Sequence, residues 1–377
     1  MDTCEIINDN RTPNYFKNTT FSNYQKKSVF SELQKAIKSS NIESSCHWLV
    51  EAHCSGYIDE MWDKLIIFGS SLVNSNVPKL PSYIFNRYQS YLEHIGGTDA
   101  KPSVLLSSRN NATIRYQLTE VICLLSTSEK KDLPKANSIK PYEVDINWIK
   151  GNKRLIDNMY MKPSFIREND CKEIHIIIYQ FIQYLTIEKK DIHNAIYWMS
   201  WLIAWENKNK NNPLAQIESR DITGLDPKYQ KDIIWIIWET IITETNDRNN
   251  SNLSTQIQCL YQLYKFNFSQ SKRKSRIPLI IHAISLLTLN IEWSNQLTNK
   301  QNVIKQVCVQ INKLYMDLQN NFSYKGSIAL NHPPEQSLIA PPPPKSTSKK
   351  NKSTISEDSI NKLDAFNRIS NQMLNTT

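Results

Sequence analysis

Apolar positions recur with a helical period along most of this 377-residue chain. The densest stretch is residues 191–206, DIHNAIYWMSWLIAWE, where Trp198, Trp201 and Trp205 fall at i, i+3 and i+7 and share one face. Ile192, Ala195, Ile196, Met199, Leu202 and Ile203 cover the other faces. The pattern predicts a helix apolar nearly all round, wrapped by neighbours in the middle of a bundle. Asp191 stands at its N-cap, where a carboxylate accepts from the free backbone N–H groups of the first turn.

Residues 1–25 are polar, rich in Asn and Thr and without period, and read as a mobile arm. Helical pattern starts near Lys26 with Val29, Leu33 and Ile37, and Asn41 caps a second helix. A third covers 57–73, with Ile58, Met61, Trp62, Leu65, Ile66 and Leu72 on its apolar side. Residues 76–81, NVPKLP, are expected to be extended, because each proline disfavours helix at the residue before it. Pro81 then opens a helix to Ile95 from its N1 position, and Gly96-Gly97 closes it. A further helix lies over about 111–125. Residues 126–142 carry two prolines and no apolar period, and read as a linker. Beyond it, helices are predicted near 144–160, 171–187, 192–205, 227–242, 254–268, 278–291 and 300–318.

The chain therefore divides into an arm (1–25), an N-terminal helical lobe (26–125), the linker (126–142) and a C-terminal helical lobe (143–321). Aligning Asn41 on Asp191 (191 − 41 = 150) superposes Ile37 on Ile187, Ile42 on Ile192, Ser45 on Ala195, Trp48 on Trp198 and Leu49 on Met199. The expected fold is all-α, a two-lobed helical bundle or an array of helical-hairpin repeats. Residues 322–354 hold Pro333-Pro334, the run 341–344 and KSTSKKNK, which predict an extended, solvated and flexible Pro/Lys-rich spacer. In the tail, 355–377, Ser356 with Glu357 and Asp358 marks a helix start, and Ile360, Leu363, Phe366, Ile369 and Met373 form one apolar stripe. An isolated helix of that length is marginal in water, so the tail is expected to fold onto a partner.

Composition narrows the chemistry. Seven glycines are few against a typical usage of about 7%, which disfavours phosphate-cradling loops and hairpin-rich β folds. The net charge of +9 permits acidic partners, but much of the excess lies in 272–276 and 345–352. Seven cysteines are scattered without a CxxC pair, most within apolar helical pattern, which predicts reduced, buried thiols. The N-terminus shows no secretory signal, and every apolar run is broken before the roughly 18 residues a membrane span needs. The expectation is a protein inside the cell or virion, not secreted and not in a membrane.

Cys46-His47 and His53-Cys54 make the pattern CHxxxxxHC, with Glu51 between them. His47, Glu51 and Cys54 share a helical face, but one straight helix cannot converge four ligands, and no second Cys/His group supplies the rest. Two buried thiols and two helix-surface imidazoles are the expected outcome, with no metal. Glu239 and Glu244 are five residues apart and share a face poorly. No hydrolase, zinc-protease, nucleotide-binding or kinase motif occurs, so no catalytic or cofactor-binding residue and no small-molecule substrate is assigned. Lys272, Arg273, Lys274 and Arg276 are expected in a loop, as phosphate contacts, as a nuclear-import signal, or as plain solvated charge. Nearby Tyr261, Tyr264, Phe266 and Phe268 offer stacking faces, though their spacing suits core packing better.

The strings NIESSCHWLVEAHCSG (41–56), PKLPSY (78–83), RNNATIRYQLTE (109–120) and DIHNAIYWMSWLIAWE resemble uncharacterised helical proteins of large nucleocytoplasmic DNA viruses. That resemblance spans roughly 26–242. It implies a viral context, in host cytoplasm, host nucleus or virion, and transfers no site residue. Asp191, Ala195, Tyr197 and Trp198 are also similar to a helix start in the C-terminal oligomerisation domain of clamp-loader-type ATPases, though the ATPase module itself is missing. Together these readings lead to a non-enzymatic scaffold or adaptor that binds a protein partner or itself. A nucleic-acid-binding accessory of viral replication, transcription or packaging is the alternative.

Overall fold

The structure, a computed structural model, describes residues 6–145 and 163–331, with side chains through residue 321. Thirteen α-helices and no strand occur among these residues, with a single isolated bridge between Thr19 and Gln25. The fold is all-α. The helix expected over 144–160 and the tail stripe Ile360, Leu363, Phe366, Ile369 and Met373 fall largely or wholly outside the described residues.

Two compact units form, and neither is continuous in sequence. One takes the described residues up to Met61, Lys101–Ser126 and the chain from Asn302; the other takes Trp62–Ala100 and Thr127–Gln301. This differs from the expected lobes 26–125 and 143–321. Periodicity marks which face of a helix is apolar but not which distant helix covers it.

In the first unit, α1 (Lys26–Lys38) and α2 (Ile42–Cys54) form a hairpin. Ser40 takes a positive φ of 58° at the turn, and the Asn41 side chain accepts from Ser44 N–H at 2.9 Å. The second unit repeats this construction in α7 (Lys172–Leu185) and α8 (Ile192–Asn209). There Lys190 has φ 45°, and Asp191 caps the first turn by accepting from His193 and Asn194 N–H. Ser40 and Lys190 stand 150 positions apart (190 − 40 = 150), the offset at which the sequence aligns with itself. Helix α3 (Ile58–Phe68) continues into a π-helical turn, Gly69–Val73, and Asn74 follows at φ 45°.

Helix α4 (Leu80–Ile95) begins one residue before Pro81, so residues 76–81 are not extended throughout. Val77, before Pro78, is non-helical as expected, whereas Leu80, before Pro81, is the first residue of α4, with Pro81 in the first turn, where its missing N–H costs no intrahelical hydrogen bond. The short α5 (Pro102–Ser107) and α6 (Ala112–Thr127) complete the middle of the chain.

The second unit contains α9 (Ile234–Asn246), α10 (Ser251–Lys265), the short α11 (Gln270–Ser275) and α12 (Ile277–Thr288). Its centre is α12, not α8. Every residue from Leu279 to Thr288 is buried, and α12 packs against α7, α8, α9, α10 and α11. Helix α8 buries its three tryptophans but leaves His193 and Asn194 exposed and Ile203 and Ala204 half-buried. It flanks the core; it is not wrapped by it. Trp235 and Trp238 of α9 meet Tyr264 edge-on or tilted, and Trp235 also touches Phe268, so these aromatics are core.

The expected mobile arm is instead docked from residue 6 onward, on the first unit. Ile7, Phe16 and Phe21 are buried, and Asn110 bonds both the N–H and the C=O of Ile7. The Arg11 guanidinium lies over the Phe21 ring and donates to the Phe21 carbonyl. Isolated aromatics at irregular spacing anchor an irregular segment, which no periodic pattern reports. Residues 128–140 lack regular structure, but they belong to the second unit and are strapped down: Lys131 N–H donates to Leu72 C=O at 2.8 Å and Asn137 N–H to Ser200 Oγ at 2.9 Å.

Helix α13 (Gln301–Asn331) is joined to α2 through a buried polar contact. Ser108 Oγ donates to Leu105 C=O at 2.6 Å, so it accepts from His53 Nε2–H at 3.1 Å. Nδ1 of His53 is then left to accept the Tyr315 hydroxyl proton at 2.6 Å. Burial, helped by Arg115 and Arg109, pulls the His53 pKa down to about 3, which keeps the ring neutral as this arrangement needs. Tyr315→Phe deletes that donor and leaves a buried nitrogen unpaired. The expected cost is about 1–3 kcal/mol in a urea-unfolding comparison, and a variant as stable as the parent would refute the assignment.

Candidate functional site

The residues singled out by the sequence fall into place differently from one another. The CHxxxxxHC group lies on α2, where Cys46 and Cys54 are buried as expected. His53 is not a surface imidazole: it is fully buried and bonded as described above. Glu51 is fully buried too, and its carboxylate accepts from the hydroxyls of Thr20 and Ser22 and from Ser22 N–H at 2.7 Å. Burial pushes its pKa up against those hydrogen bonds. Glu51 thus fastens the N-terminal segment. Among the described residues no set of three or more His, Cys, Asp or Glu is placed to hold a metal ion.

Glu239 pairs with Arg220, not with Glu244. Arg220 grips both oxygens of Asp170, at 2.6 and 2.7 Å, and reaches Glu239 Oε2 from Nε at 3.0 Å. Nothing in the sequence pattern announced this buried fork. A cavity of about 110 Å³ borders it, lined in part by Trp235, Trp238 and Tyr261.

The basic segment is not a loop. Residues Gln270–Ser275 form α11, and its cations are largely turned inward. Arg276, 2% exposed, donates to the carbonyls of Tyr264 and Phe266 and to Asp63 Oδ1 at 2.6 Å. Lys272 pairs with Asp63 Oδ2 at 2.7 Å. Arg273 is buried between Glu206 and Asp232. Lys274 alone of the four is exposed and has no ion pair among the described residues. The run SKRKSRIP carries no local signal for this, because a run of cations reads as solvated when its partners are unknown.

Glu206 and Asp232, the two partners of Arg273, line a cleft in the second unit. This cleft of about 460 Å³ runs past the end of α8 (Trp205, Glu206, Asn207, Asn209, Lys210), the turn Ala215–Ile217, residues Lys228–Ile233 and Gln270. Local sequence explains the construction. Asp226 caps the 3-10 turn Pro227–Tyr229 by accepting from Lys228 N–H, and that turn delivers the chain to the start of α9. There the first-turn N–H groups lack intrahelical partners. Glu206 Oε1 takes Ile233 N–H at 2.7 Å, and Asp232 Oδ1 takes Ile234 N–H at 3.0 Å. Arg273 then bridges the two carboxylates, with Nη2 on Glu206 and Nε 2.9 Å from Asp232 Oδ1.

Two acids thus share one guanidinium in a recess. Burial, reinforced by the charge of Asp232 and opposed by Arg273, raises the Glu206 pKa to about 7; burial raises Asp232 as well. Raised carboxyl pKa values in a cleft occur at functional sites and in buried ion-pair networks alike; Glu206, Asp232 and Arg273 are dispersed over 68 positions of chain (273 − 206 + 1 = 68), so no local motif marks them.

No family model matches this chain, and neither does any curated protein or any solved structure. What the fold and the cleft define is an all-α protein with a charged recess at the junction of three helix ends.

The internal use of the basic segment has a direct check. Arg276→Ala is expected to cost about 3–5 kcal/mol, toward the lower end because Asp63 keeps some contact with water, whereas Lys274→Ala stays within about 0.5 kcal/mol. Equal, small losses for both would return the segment to the solvent. The Glu206 carboxyl makes a second prediction. Its folded pKa lies above the ordinary 4.5, so between about pH 4.5 and 7 the folded protein holds a proton that the unfolded chain releases, and this contribution to stability declines as pH rises. Relative to the parent, Glu206→Gln should therefore gain stability from pH 5 to pH 8. A stability difference independent of pH over that range would show that Glu206 titrates normally.

Proposed function

We propose that this protein is a non-enzymatic helical scaffold or adaptor, of a large DNA virus, that works by binding other proteins. The observation that carries the reading is where the ionic chemistry lies. His53, Glu51, Arg220, Arg273 and Arg276 each bond to groups that hold helices or segments of the chain together. A chain built this way uses its reactive side chains as struts and meets its surroundings through surfaces. The cleft beside α8 offers one such surface, with apolar, aromatic and charged groups side by side. The viral context rests on the resemblance in residues 41–56, 78–83, 109–120 and 191–206. No described helix is long and apolar enough to cross a membrane.

The nucleic-acid alternative keeps less support, since phosphate contacts by the basic segment would fall to Lys274 and the partly exposed Lys272. Affinity purification of the full chain and of a form lacking residues 356–377, each with and without nuclease, separates the readings. The adaptor reading expects a protein partner that survives nuclease, and its loss on deletion would assign docking to Ile360, Leu363, Phe366, Ile369 and Met373. Association that disappears with nuclease, and weakens steeply with salt, would replace the adaptor by a nucleic-acid-binding accessory.

A further inference from the structure

The carboxylates of the cleft are not all used. Asp232 Oδ1 serves both Ile234 N–H and Arg273, while Asp232 Oδ2 accepts no hydrogen bond among the described residues. The Asp232 side chain is only 8% exposed, and the residue lines the cleft. A carboxylate oxygen without a donor, on a residue that lines the cleft, is available to a cation entering the recess. Beside it Glu206 is 25% exposed toward solvent, and each of its oxygens has one partner within the protein. Two carboxylates face one guanidinium, so the cluster has an unmatched negative charge whenever both are ionised.

The walls specify what surrounds that cation. Trp205, Ala215, Ile217, Tyr229 and Ile233 are among the lining residues; all but Tyr229 are buried, and Lys228 already lies 4.8 Å over the Tyr229 ring, so the walls suit an aliphatic stem. The rim has the opposite sign. Lys210 and Lys231 are exposed, and neither side chain makes an ion pair or hydrogen bond among the described residues. Lys228, also at the rim, is paired with Asp226 at 2.6 Å. A negative floor under a positive rim rejects polycations and favours one positive group with negative groups on either side. The volume, about 460 Å³, exceeds a single side chain and leaves room for its neighbours.

We infer that this cleft binds one lysine or arginine side chain of a partner protein, inserted between Trp205 and Tyr229 onto Asp232 and Glu206, with flanking aspartate or glutamate residues meeting Lys210 and Lys231. The inference rests on the adaptor reading and gives its partner a chemistry. It makes the acidic pair a recognition site whose internal ligand, Arg273, holds the two carboxylates in position for a second cation.

The probe is a fluorescein-labelled, capped peptide, Gly-Glu-Arg-Glu-Gly, titrated with the full-length protein at low salt, beside the lysine, citrulline and Gly-Lys-Arg-Lys-Gly versions. The arginine and lysine peptides are expected to bind at least tenfold more tightly than the citrulline and the all-basic peptides. Asp232→Asn should reduce binding at least tenfold. Because that change touches the first turn of α9, the exposed pair Lys210→Glu and Lys231→Glu supplies a variant that leaves the core untouched, and it should reverse the preference in favour of the all-basic peptide. Equal binding of arginine and citrulline peptides, or a preference unmoved by the rim reversal, overturns the inference. So does the absence of binding at millimolar protein. If the nuclease-resistant partner is captured equally by parent and Asp232→Asn, the adaptor reading stands and the cleft is not its recognition site. If the peptides bind as expected while no protein partner survives nuclease, the cleft chemistry stands and the adaptor reading falls.

Discussion

A guanidinium taken out of water must be met by negative charge or by carbonyl oxygens, and the second unit is arranged around that requirement. The six-residue helix α11 and the residue after it supply two such groups. Arg276 reaches Asp63 on α3 and the carbonyls that end α10; Arg273 reaches Glu206 at the end of α8 and Asp232 at the start of α9. Four elements far apart in sequence are tied to one short basic segment. Apolar packing on α12 supplies the larger favourable free energy of burial, but it is non-directional. The ion pairs fix which helix ends meet, and the cleft is a consequence of their meeting.

The first unit uses the same device with a buried carboxylate and a neutral imidazole. One turn of α2 carries Glu51 and His53, both without exposure to water, and each bonds to a segment distant in the chain: Glu51 to residues 20–22, His53 to Ser108 and Tyr315. Glu51 and His53, two members of the Cys/His/Glu pattern on that helix, thus direct their bonding capacity to other segments of the chain. Imidazole and carboxylate are chosen where several hydrogen bonds must be made in the core at fixed angles, and the same residue types suit metal coordination for the same geometric reason. Spacing alone does not separate the two uses. The partners do.

The cleft has features that point in two directions. Glu206 and Asp232 satisfy the free N–H groups at the start of α9, which is a structural duty and explains why acids stand there at all. Each acid takes one N–H, yet one carboxylate oxygen remains without a donor, and both pKa values are raised. The surplus is what makes the site a place for a ligand and not only a cap.

Much of the local structure was legible in the sequence. The helical period placed α1, α2, α4, α6, α7, α8, α10 and α12 within a few residues, and Asn41 and Asp191 acted as caps because a side-chain oxygen at a helix start reaches the free N–H groups of its own first turn. The offset of 150 likewise reproduced a shared hairpin geometry down to the positive φ at Ser40 and Lys190. These are short-range properties, set by neighbours along the chain. What the sequence could not contain in readable form was the pairing across long separations: that α12 and not α8 is the enclosed helix, that residues 6–25 are pinned by scattered aromatics, and that the basic run faces inward. Charge and apolarity are carried by single residues and can be read one at a time, but burial belongs to pairs of surfaces. Only the tertiary structure decides which carboxylate stands opposite which guanidinium, and therefore which charges remain for a partner.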